Sequence, residues 1–143
     1  MKKMILRKLK DLLKKNKMKK KFIDPLIKRK DNLTKNIQYY KKNIPLPSVI
    51  EISESGTCNR KCSFCPRSAP DFLDIKEFVS EDLISKLSKE LSLYDYSGIF
   101  LFSGFVEPMV DKNIYNLVLI VRSNLPKTKI EMVTNGDALN VQR

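Results

Sequence analysis

Histidine is missing from this 143-residue chain altogether, and its three cysteines all fall between positions 58 and 65. The first absence removes imidazole from any metal site the chain could build. An odd, small number of cysteines without an export signal argues against a disulfide framework. Long apolar runs are lacking too. The longest aliphatic stretch is "LVLIV", residues 117–121, far short of the roughly 18 residues that a membrane-spanning helix needs. The start is basic, but "MILRKLKDLL" never gives the unbroken apolar stretch of a signal peptide. The cytoplasm is the expected compartment. Internal repeats are absent, and the only low-complexity tract is the lysine-rich beginning.

What is present is unevenly distributed. Hydrophobic residues make up 42% of the chain, enough for a core. The net charge of +12 is confined to one end, since residues 1–30 hold fourteen Lys/Arg against Asp11 and Asp24. Residues 31–143 are neutral. Ile5, Leu6, Leu9, Leu12 and Leu13 recur at helical steps among the lysines, which predicts a basic amphipathic helix that Pro25 interrupts. Such a helix could touch a membrane surface or a nucleic acid, or be a solvated extension. No aromatic residue lies among the lysines before Phe22, so base stacking finds no support. Residues 31–47, with "IPLP" near their end, read as a connector.

From residue 48 the pattern becomes strand, helix, strand, helix, strand. "SVIEIS" (48–53), "GIFLFS" (98–103) and "KIEMVT" (129–134) read as strands, the second buried on both faces. Residues 80–93 predict a helix capped by Ser80, with Glu81 and Asp82 in its first turn and Leu83, Ile84, Leu87 and Leu91 on one face. Residues 112–123 predict a second, around Ile114, Leu117, Val118 and Val121. This order implies an α/β fold with a parallel βαβαβ sheet. Each strand is then followed by a distinctive loop: the cysteine loop, "GFVEP" and "NGD". The three share the edge where parallel α/β folds bind ligands.

The cysteine loop, "CNRKCSFC", spaces Cys58, Cys62 and Cys65 as C-x3-C-x2-C. Structural zinc takes four Cys/His ligands, so the fourth would have to be an acidic side chain, water or another chain. Soft thiolates suit an iron–sulfur cluster, which usually takes four cysteines. Three would leave one iron of a [4Fe–4S] cluster open, as a catalytic site does. A non-catalytic electron-transfer module would be expected to close its cluster with a fourth cysteine, yet that and a simple metal-binding fragment remain the alternatives. Arg60, Lys61 and Arg67 could offset the cluster's charge or be solvated surface.

The spacing, with an aromatic before the last cysteine, resembles the signature of the radical S-adenosylmethionine (radical SAM) enzymes. The resemblance implies that Cys58, Cys62 and Cys65 hold a [4Fe–4S] cluster and that SAM binds the open iron through its amino and carboxylate groups. Reductive cleavage would then give a 5′-deoxyadenosyl radical. Phe64 would lie with its backbone against the adenine. "FSGFVEP" (102–108) resembles the family's glycine-rich segment that meets the methionine end of SAM, so Ser103, Gly104 and Glu107 are candidates; Val106 stands where a second glycine is common. "TNGD" (134–137) resembles the family's third loop, making Thr134 and Asn135 candidates, although the residues alone read equally as a tight turn. The resemblance covers residues 48–137. It implies residues 48–143 as the N-terminal half, truncated or split, of a partial (β/α)6 TIM-like barrel, preceded by a basic, largely helical extension over 1–47. A reductant such as flavodoxin or ferredoxin would be a partner. The substrate stays open among peptides, cofactor precursors, RNA and sugar or surface-polymer precursors, although the basic lead-in followed by the "GFVEP" variant is most similar to the peptide- and cofactor-modifying branch.

Overall fold

The computed structural model describes residues 24–139. The amphipathic helix expected around Ile5–Leu13 lies outside them. The described residues fall into two units, 24–35 and 36–139.

The first unit is a helix, α1, Pro25–Lys35, none of whose residues is buried. Pro25 was expected to interrupt a helix, and it begins one. Proline has no N–H to lose at the first helical position, where none is needed. Asp24 supplies the cap: its carboxylate accepts from Leu26 N at 2.8 Å.

The second unit opens with a hairpin, β1 (Tyr39–Tyr40) against β2 (Ile44–Pro45). The stretch 31–47 is therefore not a plain connector. Its first residues finish α1 and its later ones pair. Gln38 fastens the hairpin by donating to the carbonyls of Tyr94 and Asp95 and accepting from Ser97 N at 3.0 Å. Tyr40 meets the Tyr94 ring edge-on, with centroids 4.8 Å apart.

The three expected strands form one parallel sheet: β3 (Val49–Ile52), β6 (Ile99–Phe102) and β7 (Lys129–Met132), in the order β3-β6-β7. Ile52, Phe102 and Met132 stand level across the sheet, so all three following loops leave at the same height. Residues two apart on a strand share a face. Phe100 and Phe102 accordingly point the same way, rings 5.4 Å apart, into a core with Ile84, Tyr96, Met109, Ile114, Leu117, Val121 and Leu125. Burying each such large side chain contributes roughly 1.5–3 kcal/mol.

Helices α2 (Glu81–Ser92) and α3 (Ile114–Asn124) pack on each other and supply that core. Ser80 caps α2 as expected, accepting from Leu83 N at 3.2 Å. The buried stripe differs from the expected one. Leu83 is 55% exposed, while Ser88 is buried. The cause is the contact with α3: Ser88 Oγ donates back to Ile84 O at 2.7 Å and accepts from Asn124 Nδ2 at 2.9 Å. A small polar residue there satisfies the amide that α3 brings to the seam, and Leu83 is left on the flank.

A second, antiparallel ribbon was not foreseen. β4 (Ser55–Gly56) pairs with β5 (Ile75–Phe78), with an irregularity between Ser55 and Gly56. Close approach makes Gly56 obligatory, since a Cβ there would sit 2.2 Å from Ile75 O. The ribbon gathers both ends of the cysteine loop.

Candidate functional site

The loops after β3, β6 and β7 meet at one edge, and Glu107 is where they join. Its side chain is 2% exposed. Oε1 accepts from Met109 N at 3.0 Å and from the Thr134 hydroxyl, while Oε2 accepts from Asn135 N at 2.7 Å. The Glu107 backbone N–H donates to Thr57 O at 3.1 Å, one residue before Cys58. One residue therefore ties the second loop to both others.

The third loop closes on the first. Asn135 Nδ2 donates to Asn59 Oδ1 at 2.8 Å and lies 4.0 Å from Cys58 Sγ. The tight turn read from "NGD" is present as well. Gly136 has φ +80°, and Asn135 Oδ1 accepts from Asp137 N at 3.0 Å. The turn and the candidate residue coincide in Asn135.

In the second loop, Ser103 N donates to Ile52 O at 3.0 Å, which extends the β3–β6 ladder by one step. Its carbonyl accepts from Ser53 Oγ at 3.1 Å. Gly104 has φ +121°, and a Cβ would fall 2.2 Å from Ser53 Oγ. Glycine is required on both counts. Val106 is half-buried.

Cys58, Cys62 and Cys65 are all free thiols, each half-exposed. Cys65 N donates to Cys62 O at 2.9 Å and Arg60 N to Cys58 Sγ at 3.4 Å. Among the described residues no three His, Cys, Asp or Glu side chains gather tightly enough for a single ion. The donor set, three free soft thiols on one accessible loop, fits an iron–sulfur cluster by its chemistry. Phe64, 89% exposed, projects from the same loop.

Arg67 corrects an expectation. It reads as solvated surface or as charge for a cluster, yet it is 3% exposed. Its Nη1 donates to Gly56 O at 3.2 Å and Phe105 O at 3.0 Å, its Nη2 pairs with Asp74, and its guanidinium lies 4.9 Å from the Phe72 ring centre. It is an internal brace between the cysteine loop and the loop after β6.

Sequence reasoning also missed Glu54, fully buried between β3 and β4. Burial pushes its carboxyl up to about 7, and the charges of Asp111 and Glu107 push the same way. Glu54 Oε2 and Asp111 Oδ2 have no hydrogen-bond partner among the described residues. Acidic residues inside a core follow no periodicity, so only "SES" at the end of a strand pattern hinted at it.

Comparisons with known proteins bear on the fold and the family. The family model of the Radical SAM superfamily matches residues 52–143. The S-adenosyl-L-methionine-dependent 2-deoxy-scyllo-inosamine dehydrogenase of Niallia circulans is 31% identical over 96 residues, covering 67% of this chain and 38% of that protein. A crystal structure of BtrN in complex with AdoMet and 2-DOIA superposes with a TM-score of 0.63 at 31% identity, covering 68% of this chain and 39% of that one. One of BtrN in an open conformation gives 0.60 at the same identity, covering 68% and 43%. This chain thus spans about two fifths of the length of the relatives it matches. No helix among the described residues is long and apolar enough to cross a membrane. With a parallel sheet, three loops meeting at its C-terminal edge and a matching family model, the chain belongs to the radical SAM superfamily, whose members use S-adenosylmethionine and a [4Fe–4S] cluster.

Proposed function

We propose that Cys58, Cys62 and Cys65 hold a [4Fe–4S] cluster and that the loops after β6 and β7 receive S-adenosylmethionine beside it. When bound, the pair supplies reductive cleavage of the sulfonium to a 5′-deoxyadenosyl radical. The observation that carries this reading is the Glu107 junction, which brings Thr134 and Asn135 to the loop that bears the thiols. Gly104 keeps the backbone of the second loop free of a side chain where the methionine end would approach. Ser103 and Glu107 fix that loop's height, and Phe64 stands exposed on the cysteine loop, where the resemblance puts its backbone against the adenine. Residues 48–143 form part of the core domain in this reading, and residues 1–47 precede it.

The substrate reading rests on the relative. Similarity to a dehydrogenase of 2-deoxy-scyllo-inosamine favours a small polyhydroxylated molecule, such as a sugar or surface-polymer precursor, over a peptide. The electron would come from a flavodoxin or ferredoxin in the cytoplasm.

Anaerobic reconstitution with iron and sulfide tests the site. The chain should take up about four irons, as a [4Fe–4S] cluster requires. It should show a reducible EPR signal that SAM perturbs, and each Cys→Ala variant should lose iron. A colourless protein binding stoichiometric zinc would refute the cluster. A cluster signal indifferent to SAM would leave a simple electron-transfer or metal-binding protein. Release of 5′-deoxyadenosine, stimulated by a polyol and not by peptides, checks the substrate class.

A further inference from the structure

The loop after β7 reaches the cysteine loop by a second route, through Asp137. Its carboxylate accepts from Asn59 Nδ2 at 3.0 Å and from Arg60 Nε at 2.7 Å, and it pairs with Arg60 Nη2 as well. Asn59 and Arg60 are the two residues that follow Cys58. Asn59 Oδ1 lies 3.9 Å from Cys58 Sγ, and the Arg60 N–H points at the same sulfur. Arg60 stands midway between Cys58 and Cys62 in the loop, two residues from each.

We infer that Asp137 is a positioning residue for the cluster, one that pins and neutralises Arg60 beside Cys58 and Cys62 and so sets how readily a cluster held there accepts an electron. The inference rests on the reading that the three cysteines hold an iron–sulfur cluster. Adding an electron adds negative charge, which a nearby guanidinium favours and a nearby carboxylate opposes. Paired, the two largely cancel. The planar fork of arginine, engaged at two nitrogens, holds the guanidinium in one place better than a single contact would. An exposed ion pair of this kind contributes little to stability, so a purely structural role would leave the cluster's redox behaviour unmoved.

The experiment is a redox titration of the anaerobically reconstituted full chain, read by EPR. It compares wild type, Asp137→Asn, Asp137→Glu, Arg60→Gln and the Asp137→Asn/Arg60→Gln double variant. Asp137→Asn leaves the arginine's charge unbalanced and should ease reduction, raising the reduced-to-oxidised ratio at fixed potential about three- to tenfold. Arg60→Gln should lower it by a similar factor. The double variant should return near wild type, and Asp137→Glu should restore most of the original value. Iron content per chain should be the same throughout. Loaded variants that titrate with wild type would overturn this inference and leave the cluster reading standing. A wild type without any cluster signal would overturn both. Should Asp137→Asn fail to hold iron, the surface change Arg60→Gln decides: an unmoved potential there refutes the inference.

Discussion

The carboxylate of Glu107 accepts the backbone N–H of Asn135 at 2.7 Å, across a gap of 28 residues in sequence, and that bond is what makes a site out of separate loops. A carboxylate rather than an amide serves because every group that reaches it donates: two backbone N–H groups and one hydroxyl. Hydrogen bonds to a charged acceptor contribute about 1.5–3 kcal/mol each.

Glu107→Ala should therefore destabilise the chain by about 2–4 kcal/mol, and Glu107→Gln by less, because the amide can accept at only one of its two atoms. Urea unfolding of the apoprotein measures this. Equal stability of Glu107→Ala and wild type would mean that the loops hold together without it.

Glu54 gives a pH dependence whose sign is fixed. Its carboxyl stands near 7 in the fold against an ordinary value of 4.5, mainly through burial. A raised carboxyl pKa means that the unfolded chain releases the proton first as pH rises. The stabilisation is fully present below about pH 4.5 and is lost as pH climbs through about 7, a change on the order of 3 kcal/mol. Glu54→Gln should abolish that part of the profile. Stability curves of wild type and variant that run parallel between pH 4.5 and 7 would refute the assignment.

Arg67→Ala should cost about 2–4 kcal/mol, since it leaves the Gly56 and Phe105 carbonyls and Asp74 without their donor. The lesion is local, so proteolytic cleavage within residues 59–74 should accelerate more than cleavage elsewhere. Uniform acceleration would argue that the arginine braces the whole unit instead.

Gly104→Ala meets two obstacles at once, a φ of +121° and Ser53 Oγ at 2.2 Å. It should destabilise by about 1–3 kcal/mol. Ser53→Ala should recover part of the loss by clearing the space, without relieving the backbone. A double variant no more stable than Gly104→Ala would mean that conformation alone sets the penalty.

The sheet was legible because burial imprints apolar runs. "VIEI", "IFLF" and "KIEM" fall where β3, β6 and β7 lie, and their order supplied the convergence of loops. The β4–β5 ribbon was not, since Ser55–Gly56 carries no alternation and every residue of Ile75–Phe78 is exposed. Helix α1 was misjudged through Pro25, whose meaning reverses between a helix interior and its first position. The buried charges of Glu54, Arg67 and Asp111 leave little mark in a sequence, because burial of a charge depends on partners brought together by the fold. Thr134 and Asn135 stood as candidates on resemblance. Their tie to Glu107 and the proximity of Asn135 to Cys58 became visible only in three dimensions.

The antiparallel ribbon bears on affinity as well as shape. By clamping Ser55–Gly56 to Ile75–Phe78, it closes the eighteen-residue excursion that carries the thiols during folding itself. Loop closure of that length costs a few kcal/mol of chain entropy. Because the polypeptide has already met that cost, the cluster proposed at Cys58, Cys62 and Cys65 would devote its bonding to affinity instead of to ordering the chain around it.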